Sequence, residues 1–321
     1  MLSRRRFNLL LATAPAAWAS HGAAHAAEPL QQLRIGFQKS AVNLVVVKQQ
    51  GLLEKRFPSA KVQWLEFPAG PQLLEALAVG ALDFGLTGDT PPVFAQSAGK
   101  ELRYVGAEPS KPLSSAVIVP VDSPLRTLAD LKGKRIALQK GSSAHYLLVR
   151  ALEKGGVRWA DITPIYLPPA DARAAFEKGA VDAWVIWDPF FAAVELALKP
   201  RVLTTGQGLS GNNSFYLASR AFAEGHAEAV DALLQALTQA DAYVQEHRKE
   251  AAQLVSDFSG LNLATVHLFL SRRPRSPVGP LGPQIVADQQ RVADAFHTLG
   301  LIPRPVKVDE IVWHPTRAAS R

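Results

Sequence analysis

Short β-type runs alternate with longer helical ones through most of this chain, and that alternation fixes its fold class before any motif is read. Leu33–Phe37, Val62–Phe67, Phe84–Leu86 and Arg103–Ala107 have the apolar character of buried strands, and Ala41–Gln50, Gln72–Val79 and Thr90–Ala98 read as the helices around them. The last of these opens on Pro91-Pro92, where proline is tolerated because first-turn amides lack a helical partner. The pattern then repeats. Strand-like Ala116–Val119, Arg135–Leu138, Thr163–Tyr166 and Ala183–Ile186 alternate with helical Ser143–Lys154, Asp171–Glu177 and Phe190–Leu198. Such an order gives parallel α/β sheets with helices on both faces.

Two sheets fit this order better than one. The first block ends near Val119, and the pattern restarts after the loop Pro120–Pro124. A second change falls at Gly206–Asn213, rich in Gly, Ser and Asn, before a strand at Ser214–Ala218. Beyond it the chain is mostly helical, at Ala227–Glu246, Lys249–Asp257, Leu263–Leu270 and Pro283–Leu299. With few strands of its own, that tail is expected to pack back on the first lobe. The expected fold is therefore a two-lobed α/β protein. Its discontinuous first lobe would comprise residues 27–115 and 211–321, its second residues 116–210. Segments near 108–115 and 206–213 would cross between the lobes as a hinge.

Residues 1–26 belong to targeting. Arg4-Arg5-Arg6-Phe7, an apolar run from Asn8 to Ala19 and the small-residue site Ala24-His25-Ala26 make a secretory signal peptide. The apolar run is too short for an anchor, which needs roughly 20 residues. The arginines before Phe7 fit the twin-arginine variant and the general secretory signal alike. Cleavage after Ala26 would take the 35 basic residues to 32 against 28 acidic ones, so the formal +7 falls to +4. That is too little to argue for a nucleic-acid partner. The chain also has no cysteine. This excludes disulfides, thiolate metal sites, a cysteine nucleophile and a lipid-modified N-terminal cysteine. A free periplasmic protein is expected.

Enzyme signatures are largely missing. There is no G-x-x-x-x-G-K-[ST] loop and no H-E-x-x-H, the eight histidines are scattered, and Ser210 misses the nucleophile-elbow spacing. Neither a metal nor a cofactor is expected. Three strand-to-helix junctions rich in small polar residues stand out instead: Gln38-Lys39-Ser40-Ala41, Gly88-Asp89-Thr90-Pro91-Pro92 and Lys140-Gly141-Ser142-Ser143-Ala144-His145. In parallel α/β sheets such junctions share the edge where ligands bind, and helix N-termini there attract anions through free N–H groups. Each hydroxyl taken alone fits an ordinary helix cap.

Further candidates are mixed in character. In Ala183-Trp184-Val185-Ile186-Trp187-Asp188-Pro189-Phe190-Phe191, the residues Trp184, Phe190 and Phe191 read as core, and Trp187 at the strand end as a cleft aromatic. Asp188 fits a helix cap and a ligand contact equally. Asn213, in Asn212-Asn213-Ser214, could donate to a ligand oxygen or shape a turn. Arg273, in Ser271-Arg272-Arg273-Pro274-Arg275, fits a solvated turn or an arginine facing the cleft.

Taken in order, these blocks resemble the aliphatic sulfonate-binding proteins of ABC importers. They are Arg34-Ile35-Gly36-Phe37-Gln38-Lys39, Thr87-Gly88-Asp89-Thr90-Pro91-Pro92, Lys140-Gly141-Ser142-Ser143-Ala144-His145, Trp184-Val185-Ile186-Trp187-Asp188-Pro189 and Asn213-Ser214-Phe215-Tyr216, with Arg272-Arg273-Pro274 and Asp288-Gln289-Gln290-Arg291 downstream. The resemblance spans about residues 33 to 313. It implies a type II periplasmic binding fold and a sulfonate headgroup held at Gln38, Thr90 and Ser142 or Ser143, with Trp187 near the organic tail. It further implies an alkanesulfonate ligand, an inner-membrane ABC permease as partner, and a monomer with no enzymatic activity. Binders of taurine, nitrate and pyrimidines share parts of the pattern, so a related anion is the alternative. Enzymes on this scaffold look cysteine-dependent, and this chain has no cysteine. Arg275-Ser276-Pro277-Val278-Gly279-Pro280 departs from the family by being longer and more basic.

Overall fold

The structure is a computed structural model in which residues 30–274 and 278–314 are described. The targeting segment and Arg275–Pro277 lie outside these residues. Along the chain come β1 (Gln32–Phe37), α1 (Val42–Gln49), α2 (Leu52–Arg56), β2 (Lys61–Glu66), α3 (Gly70–Ala78), β3 (Phe84–Gly88), α4 (Thr90–Ser97) and β4 (Leu102–Glu108). After one 3-10 turn at Pro112–Ser114 follow β5 (Ser115–Val119), β6 (Arg135–Leu138), α5 (Ser143–Lys154), β7 (Thr163–Tyr166), α6 (Pro169–Glu177), β8 (Ala183–Trp187), α7 (Phe190–Leu198) and β9 (Arg201–Thr205). The chain then gives β10 (Ser214–Ser219) and helices α8 (Arg220–Gly225), α9 (Ala227–Glu246), α10 (Arg248–Ser259), α11 (Leu263–Ser271) and α12 (Pro283–Thr298).

The strands form two sheets of five, in the orders β2-β1-β3-β10-β4 and β7-β6-β8-β5-β9. The chain passes from the first to the second between β4 and β5 and returns between β9 and β10. The sheets are mixed, which corrects the all-parallel expectation. β10 is antiparallel to both β3 and β4, and β5 is antiparallel to both β8 and β9. The crossings explain the reversal. A segment leaving the C-terminal end of β4 enters the second sheet at the facing edge, where parallel strands end, so β5 must run against them. β10 does the same on the return: Ser214, its first residue, lies opposite Gly88 and Glu108, the last residues of β3 and β4. Both crossings therefore sit beside the strand ends that face the other sheet.

Apolar side chains on both faces of each sheet build four clusters. Two belong mainly to the first lobe, around Ile35, Val46, Phe84 and Leu237 and around Leu73, Tyr104, Phe215 and Phe296. Two belong to the second, around Leu138, Leu147 and Val185 and around Ile118, Phe176 and Trp184. The helical tail covers the first sheet: Val230, Leu233 and Leu237 of α9 share a cluster with β1 and α1. The lobes also touch. Tyr146 and Val149 of α5 bury themselves in the cluster that holds Phe296 of α12. Among the described residues, no helix is long and apolar enough to cross a membrane.

Candidate functional site

The strand ends of the two sheets line a cavity between the lobes, whose empty space, counted out into open solvent, is about 530 Å³. The turn after β1 supplies Gln38 and Ser40, β3 ends there in Gly88, and β10 begins there at Ser214. From the second lobe come Ser142 and Ser143 at the start of α5, Trp187 at the end of β8 and Asp188 just after it. The crossings contribute Lys111, Ser114 and Asn212. Leu86, Pro91, Phe269 and the Trp187 ring make the carbon walls.

Several of these groups are arranged to give hydrogen bonds. Gln38 Nε2 donates to the Leu86 carbonyl at 3.0 Å, which fixes the amide and leaves its second N–H. Ser142 occupies the cap position of α5 in extended conformation, yet its hydroxyl donates to the Gln139 carbonyl at 2.8 Å and does not cap the helix. The first-turn amides of α5 are thus without a side-chain acceptor, which is how a helix start attracts an anion. Ser114 Oγ is buried with no hydrogen-bond partner in the wall. A buried hydroxyl of that kind invites a ligand oxygen.

Lys111 brings the one ammonium in the described wall. Its Nζ lies 3.1 Å from Glu108 Oε2 and donates to Ser214 Oγ at 2.9 Å, leaving one N–H. Burial pulls the lysine down from its ordinary range, and Glu108 opposes it. Burial also works to raise the Glu108 carboxyl, but Arg273 and then Lys111 overcome it and hold the group at about 2. Glu108 Oε1 accepts from Arg273 Nη2 at 2.9 Å and from the Tyr216 hydroxyl at 2.8 Å. The carboxylate stays ionised and anchors the lysine at the cavity.

The residues expected from sequence divide. Gln38, Ser142, Ser143, Trp187 and Asp188 meet at this cavity. Asp188 also caps α7, its Oδ1 accepting from the Ala192 amide at 2.9 Å, and pairs with Arg272 at 3.1 Å. Burial raises its carboxyl to about 7 against the pull of Arg272. Thr90 is fully buried outside the wall and donates to Asp89 Oδ1 at 2.9 Å. Asp89 and Asn213 line a neighbouring cavity with Gln289 and Arg291, and the adjacent asparagine, Asn212, reaches the main one. His145 is enclosed by Phe94, Trp159, Tyr166 and Phe296, its Nδ1 accepting from the Gly141 amide at 3.2 Å. Arg273 is buried with Glu108 and is not at the cavity wall.

Lys111 and Ser114 belong to no motif that sequence reasoning singles out, and Ser214 enters one only as the neighbour of Asn213. Their signal is positional: all three flank the crossings, which the antiparallel strands bring to the ligand edge. Phe269, from α11, carries no such signal. Among the described residues no cluster of His, Asp or Glu is placed to hold a metal.

A mixed α/β fold of two lobes, with hydrogen-bond donors from both around a cavity between them, defines a two-lobed ligand-binding protein. The family model of NMT1/THI5-like proteins matches residues 61–251, and the chain belongs to that family. A protein of Escherichia coli K12 named for binding aliphatic sulfonates is 46% identical over 287 residues, 89% of this chain and 90% of its own length. The alkanesulfonate-binding protein SsuA from Xanthomonas axonopodis pv. citri, solved bound to MOPS, superposes with a TM-score of 0.84 at 50% identity, covering 88% of this chain and 98% of that one. The periplasmic aliphatic sulphonate binding protein SsuA from Escherichia coli gives 0.82 at 45% identity, over 91% and 94%.

Proposed function

We propose that this protein is the periplasmic substrate-binding component of an ABC importer and captures alkanesulfonates between its lobes. The observation that carries the reading is the cavity's division of labour. Hydroxyls, amide groups, a helix start and the Lys111 ammonium offer donors, while Trp187, Leu86 and Phe269 offer carbon surface. A sulfonate is a permanent anion at neutral pH with three acceptor oxygens and no proton to give. A donor-rich wall suits it, and the alkyl tail suits the carbon side. The relatives named for aliphatic sulfonates, matched over about nine-tenths of this chain, support the same ligand class. They are binding proteins, and this chain is a binding protein and not an enzyme.

In this reading residues 27–115 and 211–321 form one jaw and residues 116–210 the other. The crossings near 108–115 and 206–213 bend as the hinge, and the closed form is what an inner-membrane permease reads. Export by the N-terminal signal delivers a monomer to the periplasm. A thermal-shift screen across alkanesulfonates of increasing length, taurine, sulfate and nitrate tests the ligand class, because a ligand that binds only the folded state raises Tm. Alkanesulfonates should give the largest shifts. Stabilisation by nitrate or sulfate with none by any sulfonate overturns the proposal.

A further inference from the structure

Gly88 ends β3 in the first lobe, beside Asp89 and opposite Ser214. Its backbone is not in the left-handed region, so conformation does not demand glycine there. The neighbour across the cleft does. A Cβ placed on Gly88 would overlap Ser143 Oγ and stand 3.3 Å from Ser143 Cβ. Ser143 opens α5 in the second lobe. The space a side chain would fill on one lobe is therefore taken by the other.

Ser143 cannot simply turn aside. Its hydroxyl lies near enough to the buried Asp89 carboxyl to favour the ionised form of that group, which also accepts from Thr90 Oγ1 at 2.9 Å. Rotating Ser143 away would withdraw that support from a carboxyl that is only 2% exposed, and the Ser143 Cβ would still stand 3.3 Å from the added carbon. A methyl group on the Gly88 backbone thus forces either a gap between the lobes or a displacement of Ser143 from its place beside Asp89.

We propose that Gly88 is the positioning residue that sets how far the lobes close: lacking a side chain, it lets the start of α5 seat against the end of β3, and that seat brings Ser142 and Ser143 to face Gln38 and Lys111. The proposal rests on the capture of ligand between the lobes and adds the contact that limits it.

The test is a double-mutant cycle of Gly88→Ala and Ser143→Ala, read by calorimetry with butanesulfonate and by ligand-free Tm. Gly88→Ala should weaken binding roughly 10- to 100-fold, the cost of one overpacked contact. Ser143→Ala loses a donor and weakens binding by itself. In that background, however, adding Gly88→Ala should cost no more than about threefold, because the obstructing oxygen is gone. Equal losses in both backgrounds, wild-type affinity for Gly88→Ala, or a ligand-free Tm that falls in step with affinity each overturn the proposal. Wild-type protein that binds no sulfonate overturns the ligand class instead. Crystal structures of the four proteins then test Gly88 without ligand. Gly88→Ala alone should hold the lobes apart, and a closed Gly88→Ala structure would refute the idea.

Discussion

At the scale of single residues, the cavity depends on side chains held in place by partners that are themselves buried. Lys111 is the clearest case, because Glu108 keeps its Arg273 and Tyr216 partners if the lysine is removed. Lys111→Met is therefore expected to leave the fold intact and to lower alkanesulfonate affinity roughly 10- to 100-fold, the worth of one charge-assisted bond. Calorimetry on the variant decides it, and unchanged affinity would remove Lys111 from the site. His145 gives a pH prediction. Burial, and then Lys140, push its imidazole down to about 3 from an ordinary 6.5. The unfolded chain then binds the proton more tightly than the folded one, so this residue's stabilisation is complete above pH 6.5 and is lost as pH falls toward 3. Between pH 6.5 and pH 5 the loss is roughly 2 kcal/mol. His145→Gln cannot titrate, so its Tm should fall less between pH 7 and pH 5 than that of the wild type. Parallel melting curves for the two proteins would remove His145 as the sensor.

At the scale of elements, Arg272 joins the end of α11 to the start of α7. Its guanidinium reaches both Asp188 oxygens at 3.1 and 3.3 Å, pairs with Glu195 and lies 4.2 Å from the centre of the Phe191 ring. Taking it away leaves a buried carboxyl, already raised to about 7 beside the arginine, without its cation. Arg272→Met should therefore cost about 3 kcal/mol in urea denaturation. Adding Asp188→Asn should recover most of that, since the asparagine oxygen can still accept from Ala192; additive losses would show that the pair is not the cause. This contact is invisible in the sequence, which offers Asp188 as a cap and the arginines as a turn without linking them. What is legible follows the same physics. Buried strands such as Arg135–Leu138, and helices bounded by a small polar residue at one end and glycine at the other, such as Ser143–Lys154, announce themselves by pattern. β9 does not, because it is a half-exposed edge strand whose apolar pair Val202-Leu203 sits between polar residues. The antiparallel sense of β5 and β10 is also unreadable, because a strand's direction depends on where the chain enters the sheet. The site follows suit: residues at strand-to-helix junctions can be found, and those at the crossings cannot.

At the scale of the whole molecule, the two crossings behave as one ribbon. Gly206 N donates to the carbonyls of Pro112 at 2.8 Å and Ser115 at 3.2 Å, and Lys111 N donates to that of Gly211 at 2.8 Å. Asn212 Nδ2 adds a bond to the Lys111 carbonyl at 3.3 Å. Tied together in this way, the segments can bend about a shared line, but neither can lengthen alone. The same ribbon carries Lys111, Ser114 and Asn212 into the cavity wall, so bending it moves the groups proposed to meet the ligand. Gly206 is where the ribbon is tightest. A Cβ there would lie 2.7 Å from the Pro112 oxygen and 2.8 Å from the Ser210 oxygen, both backbone atoms that cannot rotate aside. Gly206→Ala is expected to lower stability by about 1–3 kcal/mol by prising the crossings apart. It should also abolish the fall in radius of gyration expected of the wild type on adding butanesulfonate. Small-angle scattering with and without ligand reads both proteins. If the variant compacts as fully as the wild type, the two lobes do not turn on this ribbon, and the closing motion must be sought elsewhere in the chain.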